Sequence, residues 1–132
     1  MYSVLADTGP LFALIDRSDQ HHERAHRELV RLTSERKVLV VATSTLAESH
    51  RLILHRLGLR VAKRWFDQMT QGVGLLNPTT DDYLEAAARV HGFADQNISL
   101  HDGVVAILSQ RLGYPIWSFD RHFDVMQASV WR

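Results

Sequence analysis

The sequence predicts a single three-layer α/β/α domain over residues 1–132, with a central, mainly parallel sheet. Short runs of β-branched and other apolar residues alternate with longer segments in which apolar residues recur every three or four positions. Helical segments, some of them paired, lie between the predicted strands, and parallel strands require such crossover connections. The length fits one domain, and the absence of cysteine excludes disulfides and thiolate metal sites.

The predicted elements follow from local signals in chain order. Pro10 fits the first turn of a short helix, and Gly58 fits the end of a later one. Thr45 and Glu48 have the spacing of a capping box, and Ser99 and either Thr79 or Thr80 fit further helix caps. The predicted strands are residues 3–6, 38–42, 73–76, 114–119 and, at the end of the chain, 128–131. The predicted helices cover residues 10–15, 20–35, 45–57, 61–69, 80–90 and 100–112.

Four carboxylates are expected to lie at one edge of the predicted sheet. Asp7 and Asp120 each end an apolar strand, while Glu48 and Asp102 lie in the first turns of helices. Ligands bind beyond the carboxyl ends of the strands in such sheets, so we expect the four side chains to converge. Crowded acids repel one another unless a cation lies between them, and Mg²⁺ prefers oxygen ligands. Taken singly, Glu48 and Asp102 fit helix caps equally well, and Asp7 fits a turn.

The segments around the four acids resemble, in order, the four motifs of the PIN-domain ribonucleases. The resemblance covers nearly the whole chain, although each motif alone is weak. His101 and Gly103 are less usual at their places in the third motif, but neither removes an acid. The matching segments are VLADTGPL (residues 4–11), LAE (46–48), LHDGVVA (100–106) and SFDRHF (118–123).

The resemblance implies a Mg²⁺- or Mn²⁺-dependent endoribonuclease that binds one or two ions and leaves a 5′-phosphate and a 3′-hydroxyl. It also implies a further ligand candidate in Asp124, and a role for Thr8 and Ser44 in orienting ligands or waters. Many bacterial members of this size are VapC-type toxins of type II toxin–antitoxin pairs, so a cognate antitoxin is an expected partner. The catalytic metal ligands that the resemblance implies are Asp7, Glu48, Asp102 and Asp120.

Arginine supplies most of the basic residues, and its planar fork suits phosphate. Arg121, beside Asp120, is the best single candidate for an RNA phosphate contact. Arg56, Arg60 and Arg64 recur every four residues, which fits either RNA binding or an ordinary solvated face.

Eight histidines are present, and two of them flank predicted site residues. We expect His101 and His122 to face outward. The cluster of His21, His22 and His26 is expected to be a solvated or partner-facing patch, because no further ligands accompany it.

The predicted location is the cytoplasm, without a membrane association. The first residues lack a basic segment followed by a long apolar one, and no apolar run approaches the roughly 20 residues that span a bilayer. The apolar residues around Leu57 and Met69 predict a homodimer. Three rivals stay open: an aspartic protease with the Asp7-Thr8-Gly9 triplet, a phosphatase with Asp7 as nucleophile, and a non-toxin or non-catalytic PIN-domain protein that binds RNA.

Overall fold

The computed structural model describes residues 2–132, and in that range four strands and seven helices alternate along the chain. None of the helices in this range is long and apolar enough to cross a membrane. The elements in order are β1 (Tyr2–Ala6), α1 (Thr8–Ile15), α2 (His22–Ser34), β2 (Lys37–Ala42), α3 (Thr43–Leu57), α4 (Leu59–Gly72), β3 (Gly74–Leu76), α5 (Thr80–His91), α6 (Leu100–Leu112), β4 (Ile116–Trp117) and α7 (His122–Val125).

The strands form one parallel sheet in the order β3-β2-β1-β4, which confirms the predicted fold class. The first and last strands are neighbours in this order, and Ala6 pairs with Trp117. The residues that follow them, Asp7 and Ser118, therefore emerge side by side at the carboxyl edge of the sheet. A parallel sheet between helices also excludes the all-β fold of an aspartic protease.

Two predicted strands are shorter than expected. The segment 114–119 pairs only at Ile116–Trp117, and the segment 128–131 makes a single bridge from Val130 to Ile116. The chain leaves β4 early because Ser118 uses its hydroxyl to accept a hydrogen bond from the amide of Asp120, which bends the backbone away from the sheet.

Side chains alternate across the strands, so each face of the sheet has its own apolar core. Leu5 and Ile116 pack on one face, against α5 and α6. Val4, Ala6 and Trp117 pack on the other face, against α1 to α4. The result is the predicted three-layer arrangement, with the carboxyl edge of the sheet left open between the layers.

The helix starts differ from the predicted caps at one place. Helix α3 begins at Thr43 without a side-chain cap, and Thr45 is fully buried inside its first turn. The predicted capping box of Thr45 and Glu48 is therefore wrong, and so is the predicted place of Glu48 in the first turn, since the helix continues directly from β2. The cap at Ser99 is confirmed, because its hydroxyl accepts a hydrogen bond of 3.1 Å from the amide of Asp102.

Helix α5 holds α6 in place beside the sheet. Thr79 caps α5 in a reciprocal capping box with Asp82, and the carboxylate of Asp82 also accepts two hydrogen bonds from Arg111 of α6. The helices approach most closely at Gly103, where an added Cβ would lie 2.7 Å from Cγ1 of Val90. This close approach fixes the position of Asp102, the next residue back along α6.

Candidate metal centre

A cavity of about 410 Å³ lies at the carboxyl edge of the sheet. The four acids that the sequence singled out, Asp7, Glu48, Asp102 and Asp120, all line it. They come from four separate parts of the chain: the end of β1, the helix α3, the first turn of α6 and the loop after β4. The parallel sheet brings them together, as the alternation of strands and helices predicted. Other lining residues include Thr8, His21, Arg56, His101 and Phe119.

Asp7 forms the floor of the cavity, and its side chain is only 7% exposed. Its Oδ2 accepts a hydrogen bond of 2.9 Å from the hydroxyl of Ser118. Its Oδ1 is buried and accepts no hydrogen bond, although Nε2 of His101 lies 3.4 Å away. A buried carboxylate oxygen without a partner is costly unless a cation compensates it. The residues at this floor therefore fit a bound metal ion.

His101 separates Asp7 from Glu48. Its Nδ1 lies 3.1 Å from Oε2 of Glu48, while its Nε2 faces Asp7. Burial lowers the pKa of His101, but the carboxylates of Asp7, Glu48 and Asp102 outweigh that effect and raise the pKa above its usual value. The expectation that His101 faces outward is wrong, because His101 and Asp102, both in the first turn of α6, line the cavity.

Asp102, Asp120 and His122 form the other half of the site. Nδ1 of His122 lies 3.2 Å from Oδ2 of Asp102 and 3.5 Å from Oδ1 of Asp120. Burial raises the pKa of Asp102 and the charges of Asp7 and Asp120 raise it further, against the hydrogen bond from His122. One donor atom from each of Asp102, Asp120 and His122 lies within 4.8 Å of the other two. His122 is also not directed outward as expected, because its Nδ1 contacts both carboxylates, although His122 itself does not line the cavity.

The structure separates the remaining candidates. Thr8 lines the cavity and accepts a hydrogen bond of 3.1 Å from the hydroxyl of Ser49. Ser44 is not among the lining residues, but its hydroxyl oxygen is buried and has no hydrogen-bond partner. Asp124 does not line the cavity either: its Oδ1 lies 2.6 Å from the Arg132 guanidinium, which neutralises it. It lines the adjoining cavity together with Asp120, but it does not line the main cavity with the four acids.

The candidate arginines fall into three places. Arg56 lines the main cavity, with its guanidinium 5.6 Å from the centre of the Phe12 ring. Arg121 lines an adjoining cavity that shares Asp120 with the main one. Arg60 and Arg64 lie together in a separate depression on α4, so the regular spacing of the sequence does not translate into one continuous surface.

The histidines of α2 have mainly structural contacts. Nδ1 of His22 lies 2.6 Å from the carbonyl oxygen of Ala13, and Nε2 of His26 lies 3.1 Å from that of Leu14. These contacts tie α2 to the end of α1. His21 instead lines the cavity and packs against the ring of Phe119.

No protein-family model matches the sequence, and no curated protein matches it significantly. The structure, however, is similar to that of VapC20 from Mycobacterium tuberculosis, a toxin that cleaves the sarcin–ricin loop. The two chains share 20% identity with a TM-score of 0.84, and the match covers 98% of each. The chain has a PIN-like fold.

Two toxin–antitoxin complexes have chains with the same PIN-like fold. VapBC2 from Rickettsia felis, bound to a DNA fragment from its promoter, gives 9% identity over 97% of this chain and 96% of the other, with a TM-score of 0.74. VapBC-1 from nontypeable Haemophilus influenzae gives 15% identity over 98% and 96%, with a TM-score of 0.74. A fold supports many functions, so function has to be inferred from the site itself.

Proposed function

We propose that the protein is a metal-dependent endoribonuclease in which Asp7, Glu48, Asp102 and Asp120 hold Mg²⁺ or Mn²⁺. The observation that carries this proposal is the convergence of four carboxylates, from four separate elements, in one cavity. The buried Oδ1 of Asp7 gives further support, because it accepts no hydrogen bond and its contact of 3.4 Å with His101 is long, which leaves it free to bind a cation. The similarity to a VapC toxin that cleaves RNA supports RNA as the substrate.

The exposure of the four acids suits a phosphate backbone that approaches from solvent. The side chains of Asp7 and Asp102 are 7% and 12% exposed, whereas those of Glu48 and Asp120 are 47% and 38% exposed. When bound, divalent ions supply water activation and charge stabilisation for displacement at phosphorus. Asp7 and Asp102 anchor the site, while Glu48 and Asp120 hold its open rim.

Two arginines at this rim are proposed to position the RNA. Arg56 lines the cavity and Arg121 lies in the adjoining one, so both are close to where a scissile phosphate would bind. A guanidinium binds phosphate through paired N–H groups. Arg60 and Arg64 lie apart from the cavity and are proposed only as weaker contacts to distant phosphates. The proposed products carry a 5′-phosphate and a 3′-hydroxyl.

The proposed biological role is that of a toxin with a cognate antitoxin. Support comes from the VapBC complexes, which contain chains of this fold. We also propose a homodimer formed by α3 and α4, where Phe66 is 40% exposed and Leu59 is 69% exposed. A non-catalytic RNA-binding protein is the second candidate, and a cleavage assay distinguishes the two.

The direct test is cleavage of ribosomal and transfer RNA by the purified protein with Mg²⁺, with Mn²⁺ and with excess EDTA. We expect cleavage with either ion and none with EDTA. Asp7→Asn should reduce the rate at least about 100-fold, in the range seen when a charge-stabilising group is removed from an active site, while circular dichroism stays unchanged. Asp81→Asn is the matched control, because this exposed carboxylate in the first turn of α5 lies outside the cavity, and its rate should equal that of the wild type.

Cleavage by Asp7→Asn at the wild-type rate would remove the metal site from the mechanism. Binding of RNA without cleavage, under every metal condition, would favour the non-catalytic alternative. The toxin role has its own test, which is expression in a bacterial host. We expect growth arrest with the wild type and normal growth with Asp7→Asn.

A further inference from the structure

We propose that His122 is a metal ligand, and that Asp102, Asp120 and His122 together hold a divalent ion that prefers Mn²⁺ to Mg²⁺. The inference deepens the proposed function, on which it rests, because it concerns Asp102 and Asp120, two of the same four acids. It adds a nitrogen donor to a site whose sequence pattern points only to oxygen donors.

The geometry of the three side chains suits a shared ion. Nδ1 of His122 lies 3.2 Å from Oδ2 of Asp102 and 3.5 Å from Oδ1 of Asp120. Ligands at right angles around an ion, each at about 2.1 Å, are roughly 3 Å from one another. Two of the three distances between donor atoms are thus close to those around a shared ion, and all three are within 4.8 Å.

The backbone holds His122 in this position. Its amide donates a hydrogen bond of 2.9 Å to Oδ1 of Asp120, so the carboxylate and the imidazole are tied together by one short turn. His122 is also the first residue of α7, and the next residue, Phe123, is fully buried in the core. The imidazole side chain is 24% exposed, which leaves it accessible to an ion from solvent.

A second, independent observation points to a ligand in the same cavity. Oδ1 of Asp7 is buried without a hydrogen-bond partner, and the side chain of Asp7 is only 7% exposed. Its charge acts on Asp102, whose pKa it raises, so the two carboxylates are close enough to repel. A cation held by Asp102, Asp120 and His122 would relieve this repulsion.

The donor set decides which ion is preferred. Mg²⁺ is a hard ion that favours oxygen ligands and keeps much of its water, whereas imidazole binds first-row transition ions readily. Adding a nitrogen donor to the oxygen ligands therefore favours Mn²⁺ over Mg²⁺. His101 is a poorer candidate because its two nitrogens each face a different carboxylate, so the ring separates Asp7 from Glu48.

The test is the electron spin-echo spectrum of Mn²⁺ bound to the purified protein, together with calorimetric titration of Mn²⁺ and Mg²⁺. We expect modulation from a directly bound nitrogen in the wild type. His122→Asn replaces that nitrogen with an amide and should abolish the modulation. It should also weaken Mn²⁺ binding by about 10-fold or more, while Mg²⁺ binding changes much less.

Two histidine variants serve as controls, and both should keep the nitrogen modulation. His101→Asn alters an imidazole that lines the cavity, and His91→Asn alters an exposed histidine at the end of α5. His122→Gln gives a second variant should His122→Asn lose its circular dichroism signal. Modulation that persists in both His122 variants, or that disappears in His101→Asn instead, would overturn the assignment. Nitrogen-bound Mn²⁺ without any RNA cleavage would contradict the proposed function but would not contradict this inference.

Discussion

The hydroxyl of Ser118 donates a hydrogen bond of 2.9 Å to Oδ2 of Asp7, across the neighbouring ends of β4 and β1. The Oγ of Ser118 also accepts a hydrogen bond of 2.9 Å from the amide of Asp120. One side chain thus orients two of the four acids. Ser118→Ala removes both bonds, so we expect Mn²⁺ affinity to fall about 10-fold, as is usual when the support of a metal ligand is lost.

Ser118→Thr keeps the hydroxyl and should restore most of this affinity, as measured by calorimetric titration. Ser129→Ala, at an exposed position outside the cavity, is the control for loss of a serine hydroxyl. An affinity of Ser118→Ala equal to that of the control would mean that the hydrogen bond does not position Asp7.

Gly103→Ala should destabilise the protein through the packing of α5 and α6. An added Cβ would lie 2.7 Å from Cγ1 of Val90 and 3.1 Å from the carbonyl oxygen of Ala86, and a backbone atom cannot move aside cheaply. Overpacking of this kind costs about 1–3 kcal/mol in the free energy of unfolding, which denaturant titration measures. Gly72→Ala, where nothing lies within 4 Å of the added Cβ, should be neutral or slightly stabilising.

Asp82→Asn should lower the melting temperature by several degrees at neutral pH, because Arg111 then lacks its carboxylate partner. The buried side chain at position 82 is left poorly paired, which typically costs about 1–3 kcal/mol in the free energy of unfolding. The hydrogen bond from Arg111 lowers the pKa of Asp82 below its ordinary value of 3.8. The carboxylate therefore contributes stability above that value, and the contribution is lost as the pH falls through the lower pKa of the folded protein.

The pH dependence of this difference is the sharper measurement. The melting temperatures of the wild type and Asp82→Asn should differ by a constant amount between about pH 5 and 7. They should approach each other below pH 3.8, the ordinary pKa of the aspartate side chain. Asp81→Asn, one residue earlier in the exposed first turn of α5, is the control and should show a smaller change. A difference that is the same at pH 3 and pH 7 contradicts the ion pair as its cause.

Arg56→Gln should weaken RNA binding in a way that depends on salt. In an Asp7→Asn background, which prevents cleavage, the slope of log affinity against log salt should fall by about 0.7 for each phosphate contact removed. Arg27→Gln, at an exposed position of α2, should leave the slope unchanged. Fluorescence anisotropy with a labelled single strand measures both, and equal slopes for all three proteins would remove Arg56 from the RNA interface.

Phe66→Glu tests the proposed homodimer. Phe66 is 40% exposed on α4 and packs edge-on against His50 of α3, with ring centres 6.0 Å apart. A charge at this position should disrupt an apolar interface, so light scattering should give a dimer for the wild type and a monomer for the variant at micromolar concentration. Gln68→Glu, on the same helix beside the basic depression, is the control for an added charge. A monomeric wild type would exclude the dimer.

The sequence predicted the sheet and the convergence of the four acids because both depend on strand order and helix starts, which local patterns reveal. The orientation of His101 and His122 was not predictable in this way. Each ring is turned by contacts with residues far along the chain, such as that between His101 and Glu48. Asp124 shows the same limit, since its pairing with Arg132 depends on where the last residues pack.

The pairing of β1 with β4 has a consequence for protein synthesis. Asp7 is synthesised well before Asp120, yet the two acids line one cavity. A chain in which β4 has not yet been translated lacks the hydroxyl of Ser118 that bonds to Asp7, and it lacks Asp120 itself. The proposed metal site is therefore incomplete until synthesis has passed Asp120.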